Sequence, residues 1–196
     1  MKKICVVAGI LISILVTGIM VNAKKTQMQR ELAEEVFRFH VLANSDSEED
    51  QALKMQVKEA VISYMKGELP QSDNVEITRQ WAESHLEEIV MVSEEVLDKA
   101  GYEYAVTAEV TKCDFPEKTY GDVTFPSGVY EALRIEIGEA KGQNWWCVLY
   151  PNLCFIDAVH AVVPDEGKKE LKKVLNEDTY EMVTATTRFK IGWFFF

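Results

Sequence analysis

An uninterrupted uncharged run at residues 4–21 is the feature that most constrains how this chain can fold. Two lysines precede the run, and a Val-x-Ala sequence ending at Ala23 follows it, which is the layout of a secretory signal peptide. A run of about 18 apolar residues is also long enough to cross a bilayer. We therefore expect residues 1–23 to be a signal peptide, with an uncleaved membrane anchor as the alternative. Everything after Ala23 is expected to lie outside the cytoplasmic membrane.

The charge and the motif content exclude several classes of function. The chain carries 32 acidic and 21 basic side chains, and its net charge is −11. This acidity argues against nucleic acid and against an anionic membrane surface as partners. No phosphate-binding glycine loop, metal-binding helix motif or Gly-x-Ser-x-Gly elbow occurs in the sequence. We expect no cofactor, no metal and no small-molecule substrate.

Hydrophobic periodicity predicts one α+β domain over residues 36–196, preceded by a polar spacer or short helix at 24–35. The expected architecture is a mainly antiparallel sheet packed with two long helices and one short C-terminal helix. Gly101 is the expected C-cap of the second helix. The predicted elements are strands at 36–43, 102–111, 130–138 and 180–191, and helices at 47–66, 78–100 and 164–175. The aromatic tail at 193–196 fits either a core strand or a membrane interface.

Residues 44–50 separate the first predicted strand from the first predicted helix, and they are rich in helix-start chemistry. Ser45 and Asp46 each begin a sequence that fits a capping box. His40 lies on the strand, with Asp46 and Asp50 just beyond it. We expect His40 to fix this strand-to-helix corner through ion pairs and hydrogen bonds, in preference to a metal or acid–base role.

Residues 142–156 hold two of the four tryptophans and two of the four cysteines. Cys147 and Cys154 flank a Tyr-Pro dipeptide symmetrically, so a hairpin turning there would bring them opposite each other. Outside the membrane one disulfide and one leftover thiol are expected, and Cys147 with Cys154 is the candidate pair. Pairing of Cys113 with either of them remains open.

Aromatic residues supply the candidate partner-binding surface. Trp145 and Trp146 are adjacent, so they must point to opposite sides of a strand, and we expect one in the core and one nearer the surface. The long irregular stretch 114–128 is too aromatic for a disordered loop and carries Tyr120 and Phe125.

A secreted cysteine hydrolase is an alternative function. Cys147 would be the nucleophile and His160 the base, with Asp157 orienting the histidine. However, an exported cysteine with a neighbour seven residues away is more typical of a disulfide, so we expect the protein not to be an enzyme. A membrane-anchored structural protein of the septum is the further alternative if the leader is retained.

Four unusual blocks of the chain resemble the stage II sporulation protein R family. They are Phe-His-Val-Leu-Ala-Asn-Ser-Asp-Ser running into Asp-Gln-Ala-Leu-Lys (39–54), Lys-Thr-Tyr-Gly-Asp-Val (118–123), Pro-x-Gly-x-Tyr-x-Ala-Leu-Arg-Ile (126–135), and Asn-Trp-Trp-Cys-Val…Leu-Cys-Phe (144–155). The resemblance covers roughly residues 36–191. Two departures are Asn152, where the family often has a second proline, and the end after Lys190, which lacks a charged tail.

The resemblance implies an exported signalling protein of endospore formation. Such a protein is made in the forespore and acts in the intermembrane space on the extracytoplasmic face of a membrane-embedded aspartic protease. That protease processes the sigma-factor precursor of the mother cell. The family brings no mapped binding residues, so the candidate contacts remain Tyr120, Phe125, Trp145 and Trp146.

Overall fold

The computed structural model describes residues 2–70, 74–151, 153–155, 163 and 165–185, and the side chains at 2–11, 14, 155 and 185 lie outside that description. A mixed, mostly antiparallel sheet is packed with helices in a single domain, so the predicted α+β class is confirmed. In chain order the elements are α1 (Lys2–Glu35), β1 (Phe37–Leu42), α2 (Glu48–Glu68), α3 (Val75–Ser84), α4 (Leu86–Lys99), β2 (Val106–Phe115), β3 (Lys118–Tyr120), β4 (Val123–Phe125), β5 (Gly128–Ile137), β6 (Asn144–Tyr150), a 3-10 helix (Leu153–Phe155), α5 (Asp165–Val174) and α6 (Glu177–Ala185).

Strand β1 is an inner strand of the four-stranded sheet, whose order is β2-β5-β1-β6. It runs parallel to β5 and antiparallel to β6, and β2 is antiparallel to β5. Phe37, Phe39 and Val41 belong to one core, as their alternation predicts. All six residues of β1 are buried, including the intervening Arg38 and His40, because both faces of this inner strand are covered.

The sheet therefore separates two apolar cores. The helix-side core packs α2, α3 and α4 against one face, with Val57, Val61, Ile89, Leu97 and Ile135 among its buried members. The hairpin-side core packs α1, the β3–β4 hairpin, α5 and α6 against the other face, with Leu32, Phe125, Tyr130, Leu171 and Val183 among its members. The buried side chains of the sheet thus contribute to two distinct environments.

Residues 24–35, predicted as a polar spacer or short helix, form the docked end of α1. Leu32 and the following Val36 are fully buried in the hairpin-side core. An ion pair of 2.8 Å joins Lys24 Nζ to Asp178 Oδ2 on α6. This end of α1 is consequently part of the folded domain, because it fills a core that would otherwise be open.

Within the described part of the chain, no helix has both the length and the hydropathy that a membrane span requires. The signal peptide or anchor at 1–23 stays a prediction.

The single helix predicted at 78–100 is two helices, because the chain breaks at His85. This residue has φ −121° and ψ 23°, outside helical geometry. Its ring Nδ1 lies 2.7 Å from the Trp81 carbonyl oxygen, and the two rings stack with centroids 4.3 Å apart. The apolar stripe runs through the break, so periodicity could not reveal it. The expected closing glycine is present, since Gly101 follows α4 with φ 81°.

Helix α2 begins one or two residues later than either predicted capping box. Ser47 is the N-cap, and its Oγ accepts from the backbone N–H of Asp50 at 3.1 Å. Ser45 and Asp46 are engaged elsewhere, since Ser45 Oγ donates to the Asp50 carboxylate and Asp46 accepts from the backbone N–H of Gln143.

Two stretches of the predicted topology were wrong. The strand predicted at 180–191 begins within helix α6, where Asn176 Oδ1 accepts from Thr179 N at 2.9 Å near the helix start; residues 186–191 and the tail at 193–196 lie outside the described residues. The irregular loop predicted at 114–128 contains the β3–β4 hairpin, which turns at Gly121 with φ 59°.

Candidate functional site

Arg38 is the largest fully buried side chain of the described residues and lies on the hairpin-side face of β1. Four aromatic rings surround its guanidinium group. Their centroids lie 4.4 Å (Phe115), 5.0 Å (Tyr130), 5.1 Å (Phe125) and 6.0 Å (Tyr120) from Cζ. Attraction between the cation and these π faces offsets part of the cost of removing the charge from water. We call these five residues the arginine cage.

The hydrogen bonds of Arg38 connect three strands. Nε donates to the Cys147 carbonyl oxygen on β6 at 2.9 Å, and Nη2 donates to the Tyr120 hydroxyl on β3 at 3.1 Å. Nη1 has no hydrogen-bond partner among the residues that the structure describes. Burial raises the pKa of Tyr120 well above its usual value, so this phenol is neutral. Arg38 therefore anchors the half-buried Tyr120 side chain through its hydroxyl group.

The cage changes the interpretation of two candidate contact residues. Phe125 was expected on an exposed loop, but it is fully buried, so the expectation of exposure was wrong. Tyr120 is half-buried and meets Phe125 edge-on, with the centroids 6.0 Å apart. The β3–β4 hairpin folds both rings over Arg38. The prediction of an irregular loop at 114–128 could not indicate this arrangement.

Trp145 and Trp146 face opposite sides of the sheet, as strand geometry predicts. Trp145 meets Phe39 edge-on at 5.5 Å, beside the helix-side core. Trp146 stacks on His40 with centroids 4.9 Å apart and lies beside the hairpin-side core. The expected division into one core and one surface tryptophan is wrong, since both are half-buried. Each residue is thus partly accessible to solvent on its own side of the sheet.

His40 and Cys113 form a pair that sequence reasoning missed. The Cys113 Sγ lies 3.4 Å from His40 Nε2. Burial, followed by the charges of Arg134 and Arg38, lowers the pKa of His40 to about 4, and burial raises the pKa of Cys113. Both groups are therefore neutral near pH 7, whereas a cysteine nucleophile requires a thiolate.

The expected role of His40 at the strand-to-helix corner was also wrong. His40 is stacked on Trp146 inside the sheet, and it is not a partner of the Asp50 carboxylate. The pairing with Cys113 depends on the position of β2 two strands away from β1. A single sequence carries no signal for that strand order.

The proposed hydrolase group falls largely outside the described residues, since Asp157 and His160 are not among them. Cys147 is buried, and the described cysteines, Cys113, Cys147 and Cys154, are free thiols. Among the described residues, β6 is followed by the 3-10 helix that carries Cys154, and not by the second strand of the expected hairpin. The disulfide stays a prediction.

A polar network around Asp50 forms the corner between β1 and α2. The buried Asp50 carboxylate accepts from Asn44 Nδ2 at 2.8 Å and from Ser45 Oγ at 2.5 Å. Burial alone would raise the pKa of Asp50, but the hydrogen bonds from Ser45, Asn44 and Tyr104 outweigh it and hold the pKa below its ordinary value. The network therefore contains a stable buried carboxylate.

The same corner fixes the loop that leads into the tryptophans. Asn44 Oδ1 accepts from the backbone N–H of Glu139 at 2.9 Å, and Asp46 Oδ1 accepts from that of Gln143 at 2.8 Å. Lys54 Nζ donates to the Gln143 carbonyl oxygen at 2.9 Å. The 39–54 block of the sequence thus positions the start of β6 and, through it, both indole rings.

Gly142 allows the closest approach in this corner, and its substitution gives a direct test of the packing. A Cβ atom at this position would lie 2.1 Å from the backbone oxygen of Ser45. We expect Gly142→Ala to lower the free energy of unfolding by about 1–3 kcal/mol, because the backbone must shift to admit the methyl group. Urea denaturation of the purified chain measures the change.

Gly67→Ala is the matched control for Gly142→Ala. Gly67 lies in α2, and an added Cβ would meet nothing within 4 Å. The same methyl group should therefore raise the free energy of unfolding by about 0.4–1 kcal/mol. Equal effects of the two substitutions would contradict the close contact at Gly142.

Within the described ranges, no group of three or more His, Cys, Asp or Glu side chains is arranged to hold a metal ion. The described geometry is instead that of a packed scaffold that carries half-buried aromatic side chains. Tyr120 and Trp146 lie beside the hairpin-side core, and Trp145 lies beside the helix-side core.

Comparison with known proteins connects this scaffold to sporulation. Residues 33–160 match the family model described as Stage II sporulation protein R. The chain is 34% identical over 193 residues to Stage II sporulation protein R of Bacillus subtilis (strain 168), an alignment that covers 94% of this chain and 86% of that protein. The name of that relative describes a sporulation stage and not a reaction. No solved structure matches the chain.

Proposed function

The chain belongs to the stage II sporulation protein R family, and from this premise we propose that it is an exported signal from the forespore to the mother cell. It acts in the intermembrane space by binding the extracytoplasmic face of a membrane-embedded aspartic protease. The activated protease then removes the pro-sequence of a mother-cell sigma factor. The observation that carries the proposal is the family match over most of the chain, to which the uncharged leader sequence adds a route of export.

The signal acts by binding, without chemistry of its own. The described histidine–cysteine pair, His40 with Cys113, consists of neutral groups, which supports a non-catalytic role. A bound protein can activate a protease only if it binds the active state more tightly than the inactive state. A rigid surface suits this task, because little conformational entropy is lost when it docks.

The face of Tyr120 and Trp146 is the proposed contact surface. Lys118 Nζ lies over the ring of the half-buried Trp146, 5.8 Å from its centroid, so a cation adjoins the indole on this face. Aromatic side chains held on a fixed scaffold are typical binding anchors. Phe125 supports this face from below, and Trp145 lies on the opposite side of the sheet.

Co-expression with the protease and its sigma-factor precursor in a non-sporulating host tests the proposal. We expect precursor processing only when this chain is present. We further expect Trp146→Ala to reduce the processing rate at least about tenfold, because an interface tryptophan commonly contributes that much to binding. Immunoblotting of precursor and product, normalised to the amount of folded variant, measures the effect.

Trp145→Ala is the matched control, since it removes the same half-buried side chain from the neighbouring position on the other face. Processing should remain near the wild-type rate. Full processing with Trp146→Ala would reject the contact surface, and processing that does not depend on this chain would reject the proposed function.

A further inference from the structure

Cys147 and Cys154 lie on the same side of the sheet. Cys147 pairs with Phe39 across the β1–β6 ladder, and directly paired residues point to the same face. After β6 the chain turns, with the backbone N–H of Leu153 donating to the Pro151 carbonyl oxygen at 2.6 Å. Cys154 then packs against the helix-side core, to which Phe39 belongs. Burial and the neighbouring Cys147 thiol both raise the pKa of Cys154, in keeping with two sulfurs that lie close together.

Cys113 is excluded from either pairing by its position. It lies on β2, and the strand order β2-β5-β1-β6 places two strands between β2 and β6. Strands are about 4.8 Å apart, so the backbones of Cys113 and Cys147 are separated by roughly 14 Å, which is beyond the reach of a disulfide. Cys113 also packs against the hairpin-side core, on the other face from Cys154, and its sulfur contacts His40.

We infer that Cys147 and Cys154 are a dithiol site that is oxidised to a disulfide after export, while Cys113 remains reduced. The inference rests on the export step of the proposed function, because disulfides persist in extracytoplasmic compartments. The oxidant belongs to the class of protein disulfides with a reactive Cys-x-x-Cys pair, and oxidised glutathione replaces it in vitro.

The reaction is two successive thiol–disulfide exchanges. Cys154 is the less buried residue of the pair, so its thiolate attacks the disulfide of the oxidant and forms a mixed disulfide. The Cys147 thiolate then attacks the Cys154 sulfur and releases the reduced oxidant. The two cysteines lose two electrons and two protons, and the oxidant disulfide becomes a dithiol.

The bond would close the 3-10 helix onto β6, the strand that supplies a hydrogen-bond acceptor to the arginine cage. The backbone carbonyl of Cys147 accepts the hydrogen bond from Arg38 Nε. Fixing Cys147 therefore also fixes the acceptor that orients Arg38 and, through Nη2, the Tyr120 hydroxyl. The site thus links redox state to the rigidity of the proposed contact surface.

Peptide mapping of the purified full chain tests the inference. The chain is incubated with oxidised glutathione, alkylated without reduction and digested for mass spectrometry. We expect a cross-linked peptide pair that contains Cys147 and Cys154, a loss of about 2 Da in the intact mass, and alkylated Cys113. The oxidation rate should rise with pH, because burial holds the pKa of Cys154 above its ordinary value.

Cys113→Ser is the matched control and should leave the cross-link unchanged, whereas Cys154→Ser should abolish it. A cross-link that contains Cys113, stable glutathione adducts on Cys147 or Cys154, or alkylation of both Cys147 and Cys154 would each overturn the inference. Mapping is independent of protease activation. A cross-link in a chain that fails to trigger processing would therefore reject the proposed function alone.

Discussion

Arg38→Ala should lower the free energy of unfolding by about 3–5 kcal/mol. The substitution empties a fully buried site between four aromatic rings. It also removes the donors that the Cys147 carbonyl and the Tyr120 hydroxyl use. The lost packing adds to the lost hydrogen bonds, because the aromatic rings cannot close around the alanine methyl group without moving β3 and β4. Urea denaturation followed by tryptophan fluorescence measures the change.

Arg134→Ala is the control for the loss of a positive charge and of a long side chain. Arg134 lies on the neighbouring strand β5, is 31% exposed and forms ion pairs with Glu109 and Glu136. Exposed ion pairs contribute about 0–1 kcal/mol, so its removal should change stability by no more than that. Similar losses for Arg38→Ala and Arg134→Ala would contradict the importance of the cage.

Arg38→Met separates the apolar packing of Arg38 from its hydrogen bonds. Methionine fills much of the same volume but leaves the Cys147 carbonyl and the Tyr120 hydroxyl without their donor. A loss of about 1–3 kcal/mol is expected, smaller than that of the alanine variant. A methionine variant as unstable as the alanine variant would assign the whole effect to the hydrogen bonds and the charge.

Strand β1 shows what local pattern can and cannot predict. The alternation of Phe37, Phe39 and Val41 identified the strand and one buried face, because both follow from a two-residue period. The same alternation gave no indication that Arg38 and His40, on the other face, are also buried. Their burial follows from the position of β1 between β5 and β6 and from the hairpin above it, which are non-local properties.

The ends of the helices were also only partly predictable from local sequence pattern. Gly101 correctly predicted the end of α4, because a left-handed residue after a helix favours glycine. The break at His85 escaped prediction because it depends on one side chain contacting the Trp81 carbonyl, within an apolar stripe that continues on both sides.

The candidate site divides in a similar way. Opposite faces for Trp145 and Trp146 followed from strand geometry and were confirmed. The His40–Cys113 contact and the burial of Phe125 depend on strand order and on a hairpin hidden in an apparently irregular loop. Family membership was the exception, since the resemblance stated from short blocks is confirmed over most of the chain.

The second large effect is expected at the corner that the 39–54 block builds. Asp50→Ala should lower the free energy of unfolding by about 3 kcal/mol, because it removes charge-assisted hydrogen bonds from Asn44 and Ser45 and leaves both donors in a partly buried site. Loss of this corner also releases the loop before β6, which Asn44 holds through the backbone N–H of Glu139.

Glu49→Ala is the control for Asp50→Ala. Glu49 lies in the same first turn of α2 and is exposed, so both substitutions remove one negative charge near the positive end of the helix dipole. The control should cost at most about 1 kcal/mol. Equal losses would show that the dipole, and not the buried network, accounts for the effect.

The pH dependence of Asp50→Asn separates the contribution of the negative charge at this position from that of the side-chain shape. The folded-state pKa of Asp50 is lowered, so its charged form contributes stability that is present above the unfolded-state pKa of about 3.9 and is lost as pH falls through the folded-state value. The stability gap between wild type and Asp50→Asn should therefore be constant at neutral pH and narrow below about pH 4. Urea denaturation of both proteins across this range measures the gap. A gap that stays constant down to the lowest accessible pH would mean that the charge contributes nothing, and that the network depends only on the geometry of its hydrogen bonds.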